Sequence, residues 1–497
     1  MDEAGLNRGR VLLAVALAQF TVTMVMSIVN VALPAIRRGL DFDPDQLSWV
    51  INAYSLVFGG LLLLGGRAAD VYGQRRLLVT GAVVFAGASL GGALAQNPAE
   101  MIIARVVQGL GAAAMAPAAL ALLTTTQREG RERTRALGVY AAVSAVGGAV
   151  GVLAGGLLTE YGGWRWVMLI NVPLALAVGW LAMRYVPKGA ARGQRRLDVL
   201  GGLLGTGGVG LLVLGVVRTN EYAWTSGTTL GTLAAAAALL AAFVVLETRP
   251  GMSDPLVRFG LLARRSVGGA NLFMLLVCAG QFAGFYFVSL YLQQVLEMKP
   301  VAAGTAFLPF CVGMVAGSAL STRLLGTLGA RALLVPGGLV AALGFGWFGL
   351  ISASGSFAAD ILGPSLVAGF GIGVCFVPPT GAATGALPPQ EAGMASALLN
   401  SSRQIGGAIG LAVLVTVQVQ HTNHALAVGD TPKEAMTSGF GLGLTIAGGI
   451  LALAAVVAAT VLPGRAQEAA ADSGPKETAD RQGTGGGNGA RATEVPR

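Results

Sequence analysis

Fourteen stretches of this chain are apolar for about 20 residues each, the length a helix needs to cross a hydrocarbon layer of roughly 30 Å. Lipid offers a backbone no water to bond, so each stretch must satisfy its own amides and carbonyls as a helix. The runs fall at 12–35, 47–66, 77–96, 99–124, 136–158 and 166–183, then a central pair at 199–217 and 228–247. Six more follow at 268–293, 301–321, 331–352, 358–379, 393–418 and 438–462. The first is too long for a signal-peptide core and lacks a small-residue exit, so it reads as a retained span. Cys278, Cys311 and Cys375 stand alone inside apolar runs, which supports neither a disulfide framework nor a metal site. No GxxxxGK[ST] loop occurs, so ATP is not the expected driver, and no cofactor is expected.

The charges sort by side. Only 11% of residues are charged, against about 25% in soluble proteins. A net charge of +9 would suggest a nucleic-acid partner in a soluble chain. Here, of 33 Lys and Arg, 25 lie on one set of alternating loops and termini and six on the other, with Arg105 and Arg403 inside runs. Basic loops stay on the cytoplasmic side, so both termini are expected in the cytoplasm, with the lipid bilayer as partner and no nucleic acid. The abundance of Ala, Gly and Arg over Lys suits a GC-rich bacterium, which makes this a multi-pass protein of the bacterial cell (inner) membrane.

Between the second and third runs the chain reads Gly66-Arg67-Ala68-Ala69-Asp70-Val71-Tyr72-Gly73-Gln74-Arg75-Arg76. A reduced copy recurs: Arg323, Gly329, Arg331, Leu333 and Leu334 match Arg67, Gly73, Arg75, Leu77 and Leu78, with Gly326 in place of the acid. A basic, glycine-bearing turn present twice points to an internally duplicated helical transporter. The expected fold is therefore an all-α membrane protein of about 14 transmembrane helices, with two pseudo-symmetric six-helix bundles and two inserted central helices. The corresponding units are residues 1–186, 187–266 for the inserted pair and linkers, 267–463, and a polar, Gly-rich tail at 464–497 expected to be disordered. In the turn, Gly66 and Gly73 let the chain pass under a neighbouring helix, and Asp70 can accept hydrogen bonds from Arg67, Arg75 or a helix N-terminus. The arginines alone would serve as membrane anchors; Asp70 has no topological use.

Four groups of residues inside the runs are candidates for function. Arg105 needs a partner or an aqueous pocket unless it snorkels to the interface, and Gln108 shares its face at i+3. Arg403 lies near mid-run, with Asn400 and Gln404 beside it, in either a cavity-facing or an inter-helix role. Gly147, Gly151 and Gly155 form a ridge at i, i+4 and i+8, with Gly148 and Gly156 alongside, and such a ridge lets two backbones touch. The polar stripe Gln19, Thr23, Ser27 and Asn30 either lines a cavity or hydrogen-bonds a neighbour. His421 and His424 read as solvated residues of an outer loop, and Trp164 and Trp166 as an interfacial belt.

The turn resembles the signature loop of the major facilitator superfamily, and the order of motifs resembles its fourteen-span drug:proton antiporter branch, the QacA/EmrB type. Ser27-Ile28-Val29-Asn30-Val31-Ala32-Leu33-Pro34 is similar to the end of that branch's first span. Arg105-Val106-Val107-Gln108-Gly109-Leu110-Gly111 is similar to its fourth-span motif, and Trp164-Arg165-Trp166 with Asn171-Val172-Pro173 to its sixth-span entry. Asn400-Ser401-Ser402-Arg403-Gln404-Ile405-Gly406 matches its thirteenth. The resemblance implies that the turn (Gly66, Arg67, Asp70, Gly73, Arg75, Arg76) clamps the halves together and gates alternating access. It implies a proton-coupling role for Arg105 with Gln108 and Gly109, and cavity positions for Asn30, Asn400, Arg403 and Gln404. It also makes Gly147, Gly151, Gly155 and Gly156 an antiporter motif, although Val152 stands where that motif has Pro.

The chain departs from the branch at Val25, where most relatives carry Asp. Glu160, Glu247, Glu297, Asp360 and Glu391 lie at run ends, which leaves no acid near any centre. A low-dielectric cavity with Arg105 and Arg403 and no carboxylate disfavours cations. The expected function is secondary active efflux of small amphipathic compounds, neutral or anionic rather than cationic, with protons as coupling ion; Val25→Asp should then improve cation export. The alternative is a metabolite or antibiotic-specific exporter. A proton-coupled importer on the same fold is disfavoured by the glycine ridge and the fourteen runs. No catalytic residue or enzyme activity is expected, and the substrate, the stoichiometry and the oligomeric state stay open.

Overall fold

The computed structural model describes residues 3–127, 131–187, 197–249, 255–384, 387 and 389–464, so nearly all of the basic linker and the expected disordered tail lie outside the described residues. Fourteen helical segments among them are long and apolar enough to cross a membrane. They are α1 (Arg8–Leu40), α2 (Trp49–Tyr72), α3 (Gln74–Leu94), α4 (Pro98–Thr126), α5 (Arg135–Tyr161), α6 (Trp164–Tyr185) and α7 (Val199–Asn220). The rest are α8 (Gly227–Glu247), α9 (Arg265–Val295), α10 (Pro300–Leu328), α11 (Ala330–Phe348), α12 (Phe357–Thr384), α13 (Glu391–Ala427) and α14 (Pro432–Val461). Polar caps set several starts. Asn97 accepts the Glu100 amide at 3.0 Å, with Pro98 in the first turn of α4, and Thr431 and Glu434 form a reciprocal capping box on α14.

Helices outrun their apolar stretches, and this corrects two expectations. His421 and His424 belong to α13 rather than to a loop. The basic turn is helix through Tyr72; only Gly73, at φ 92°, separates α2 from α3. Gly329, at φ 81°, does the same between α10 and α11, so the two copies build the same corner. A side chain at such a φ is strained by about 1–3 kcal/mol. Gly73→Ala should lower the stability of the purified protein by about that amount, measured as a drop in melting temperature; an unchanged melting curve would show that the corner carries no strain.

The two halves pair their helices in the same order. In the first, α1 packs on α5, α4 and α6, and α3 and α2 both pack on α4. In the second, α9 packs on α13, α12 and α14, while α11 and α10 both pack on α12. Contacts between the halves repeat the symmetry, with α2 on α13 and α5 on α10. The inserted α7 and α8 pack on each other, and α7 packs on α2 and α13. Only 11% of the apolar stretch of α8 is buried, against 72% for α9, which makes α8 the outermost element.

Candidate functional site

The polar stripe of α1 and the glycine ridge of α5 form one seam. A Cβ on Gly151 would stand 2.8 Å from the Met24 carbonyl, and one on Gly155 2.6 Å from that of Ile28, so α1 lies directly on the bare backbone of α5. Gly147 meets Thr23 in the same way. Nearer the arginine-rich end, Gln19 donates to Ser144 Oγ at 2.7 Å and accepts from the Tyr140 hydroxyl. The stripe therefore bonds and packs against its neighbour within one half. Gly156 belongs elsewhere: its Cβ would stand 2.6 Å from the Pro300 carbonyl on α10, in the opposite half.

At the arginine-poor end α5 meets α10 and α1 meets α9 across the halves. Val301 donates its amide to Glu160 at 2.9 Å, joining α10 to α5. Ser289 donates to the Asn30 carbonyl at 2.8 Å and Gln293 to that of Val31 at 2.9 Å, joining α9 to α1. Deeper, Gln404 on α13 reaches Met26 Sδ at 3.7 Å, and Gly59 on α2 accommodates the Gln404 side chain. Asn30 Oδ1 and Gln404 Oε1 are buried there without a hydrogen-bond partner, while Asn400 on α13 is exposed. Ser289 and Gln293 escaped the sequence reading; their signal is a polar pair one turn apart near the end of an apolar run.

Arg105 is not in this space. It is 1% exposed inside the first half, where Nε donates to the Val50 carbonyl at 2.7 Å and a terminal nitrogen donates to Gln108 Oε1. Its guanidinium lies 4.4 Å over the Tyr54 ring, and Gln108 passes the network on to Ser89 Oγ at 2.8 Å. Gly109 permits this close crossing, since its Cβ would stand 2.7 Å from the Tyr54 carbonyl. The partner expected for a buried Arg exists and is uncharged. The expectation of a cavity-lining Arg105 is corrected: burial favours a filled, hydrogen-bonded niche over a hydrated one.

Arg403 has a local task. Pro378 and Pro379 lack amides and break α12, which frees carbonyls before them. Ser321 bonds that of Val374 at 3.1 Å, and Arg403 bonds that of Phe376 at 3.2 Å while lying 4.9 Å over the Phe376 ring. Its other bond, to Asn400 Oδ1, is long at 3.4 Å. Trp166 is exposed as a belt residue should be, but Trp164 is buried against Gly39 of α1, contrary to expectation.

The signature described as Major Facilitator Superfamily matches residues 15–411 of the chain. The chain belongs to the major facilitator superfamily. Among curated members it is 43% identical to the cephamycin export protein CmcT of Amycolatopsis lactamdurans, over 80% of this chain and 83% of that one. It is 41% identical to the puromycin resistance protein pur8 of Streptomyces alboniger, over 92% of each. Among solved structures it shares the fold of an inward-facing bacterial homolog of the human lysosomal transporter Spinster, with a TM-score of 0.62, 16% identity, and coverage of 91% of this chain and 96% of that one.

The superfamily's basic turn is tied down by its arginines rather than by its acid. Arg67 bonds the Pro255 carbonyl, and Arg75 bonds that of Met183 in the last turn of α6. Asp70 and Arg76 are exposed, and among the described residues Asp70 accepts neither of the expected arginines. The close approach falls on Gly65, not Gly66: Pro117 leaves the Ala113 carbonyl without its helical partner, and Gly65 packs onto it. Val25 is fully buried in the core of the first half with Tyr54, Phe58 and Met115. Val25→Asp is therefore expected to lower the melting temperature rather than improve dye export; a stable variant with faster ethidium efflux would reverse this conclusion.

Proposed function

We propose that this member of the superfamily exports small amphipathic, antibiotic-like compounds by alternating access, in exchange for protons. The arginine-rich side is the cytoplasmic side and holds both termini, and the membrane is the inner membrane of a bacterial cell. The observation that carries the reading is the one-sided closure of α1 on α9 and of α5 on α10. The bonds between α1 and α9 and between α5 and α10 lie at the arginine-poor end, which leaves the opposite ends of these helices free to part toward the cytoplasm. Asn30 and Gln404, each with an unpaired buried oxygen, are the polar contacts suited to a substrate at mid-depth.

The charge argument now rests on fewer groups. Arg105 is sequestered, but the acids of the described segments still lie toward helix ends, Glu160 and Asp360 at one face and Asp70, Asp198, Glu247 and Glu391 at the other. A carboxylate-free centre favours neutral or anionic compounds over permanent cations. The names of two relatives, each given for a single antibiotic, favour a narrow range over broad multidrug export. Expression in a drug-sensitive bacterial host tests this. Resistance to puromycin or a cephamycin should rise several-fold, vanish with a protonophore, and leave ethidium sensitivity unchanged. Resistance that survives the protonophore would exclude proton exchange, and no resistance to any compound would exclude export.

A further inference from the structure

Two carboxylates meet where the inserted helices end on the arginine-rich side. Asp198 caps α7, its Oδ1 accepting the Gly201 amide at 2.8 Å. Glu247, the last residue of α8, is 5% exposed, and its Oε2 accepts the Val257 amide at 3.1 Å. Their remaining oxygens, Asp198 Oδ2 and Glu247 Oε1, are both buried and receive no hydrogen bond. The two bare oxygens face the same point beside Gly201. A Cβ on Gly201 would stand 2.7 Å from Glu247 Oε1 and closer still to Asp198 Oδ2.

Among the described residues, the arginines of the neighbouring elements bond elsewhere or are exposed. Arg67 of α2 bonds the Pro255 carbonyl. Arg258 and Arg264 turn to Glu391 of α13, at 3.7 and 3.9 Å. Arg249, two residues past Glu247, is exposed, as is Asp70 on α2, and Arg403 of α13 bonds Phe376. Among the described residues none of these forms an ion pair with Asp198 or Glu247.

We propose that Asp198 and Glu247 form a proton-binding site, in which one proton shared between Asp198 Oδ2 and Glu247 Oε1 keeps the 255–258 segment docked across the arginine-rich ends of α2 and α13. A single proton satisfies both bare oxygens at once, while its loss leaves two buried negative charges side by side. The part free to yield is the segment that Glu247 holds by the Val257 amide. Leu256 and Val257 pack with Leu63 and Leu64 of α2 and with Met394 and Leu398 of α13, so this segment spans the two halves. It stays docked at low pH and is released when the shared proton is lost as pH rises. This site adds internal pH sensing to the export reading and does not depend on what is transported.

Hydrogen–deuterium exchange on the full-length purified protein tests the site without any transport assay, so failure here leaves the export reading standing. Protection of the peptide containing Val257 is followed from about pH 6 to about pH 9 and corrected for intrinsic exchange. In the wild type, protection should fall by up to about tenfold per pH unit above the titration, the limit for one linked proton. Glu247→Gln and Asp198→Asn each supply an amide donor to the facing oxygen, so both should stay protected at every pH. Infrared difference spectra should show a protonated carboxyl band in the wild type that Glu247→Gln removes, and on the wild type alone this decides the question if a variant fails to fold. Wild-type protection that ignores pH, the same titration in Glu247→Gln, or no protonated band would overturn the proposal.

Discussion

Arg105→Ala is expected to destabilise the folded protein by about 2–4 kcal/mol rather than leave a sound but uncoupled transporter. The side chain is 1% exposed, fills its niche under Tyr54, and supplies the donor for Gln108 Oε1. Its removal leaves a cavity and an unpaired amide oxygen in the core of the first half. Arg105→Met should recover much of the loss, because an apolar chain of similar length refills the space without a charge to desolvate. Arg105→Lys should recover less, since an ammonium cannot reach the Val50 carbonyl and Gln108 with the geometry of a guanidinium. Thermal unfolding of the purified variants, followed by tryptophan fluorescence, ranks them. An alanine variant that melts with the wild type but moves no substrate would return Arg105 to the coupling role that its motif implies.

Gly156→Val should have the opposite signature, normal folding with failed transport. Its Cβ would meet the Pro300 carbonyl at 2.6 Å and Val301 Cα at 3.0 Å, both in the other half, so the clash exists only while the arginine-poor end is closed. Overpacking of about 1–3 kcal/mol depletes that closed state about 5–150-fold. Gly155→Val, one residue away, is the control: it strikes the Ile28 carbonyl within its own half at 2.6 Å and should reduce yield and melting temperature in every state. Substrate flux in proteoliposomes, together with size-exclusion profiles, separates the two. Equal flux through Gly156→Val and wild type would mean that α5 and α10 need not close on each other.

Much of this was open to reading from the residues. Long apolar runs must be helices in lipid, so the count of fourteen and the inserted pair followed from hydropathy and the repeated turn. Gly73 and Gly329 were paired by spacing alone and prove to build one corner twice. The site was less legible, for a specific reason. Helical periodicity says which residues share a face but not which neighbour that face meets. Gly155 and Gly156 look like one ridge yet serve different partners, and Arg105 and Arg403, both embedded cations, end in unrelated niches. Glu247 read as an ordinary run-end acid until folding set Asp198 near it.

The sequence by itself determined the class of fold and its duplication, because hydrocarbon thickness and backbone satisfaction act on local stretches of chain. Tertiary structure alone decided which polar side chains share a niche, because a buried group's chemistry is set by the few atoms that touch it. Most of those atoms come from other segments of the chain: Val50 for Arg105, Phe376 for Arg403, and Val257 and Asp198 for Glu247.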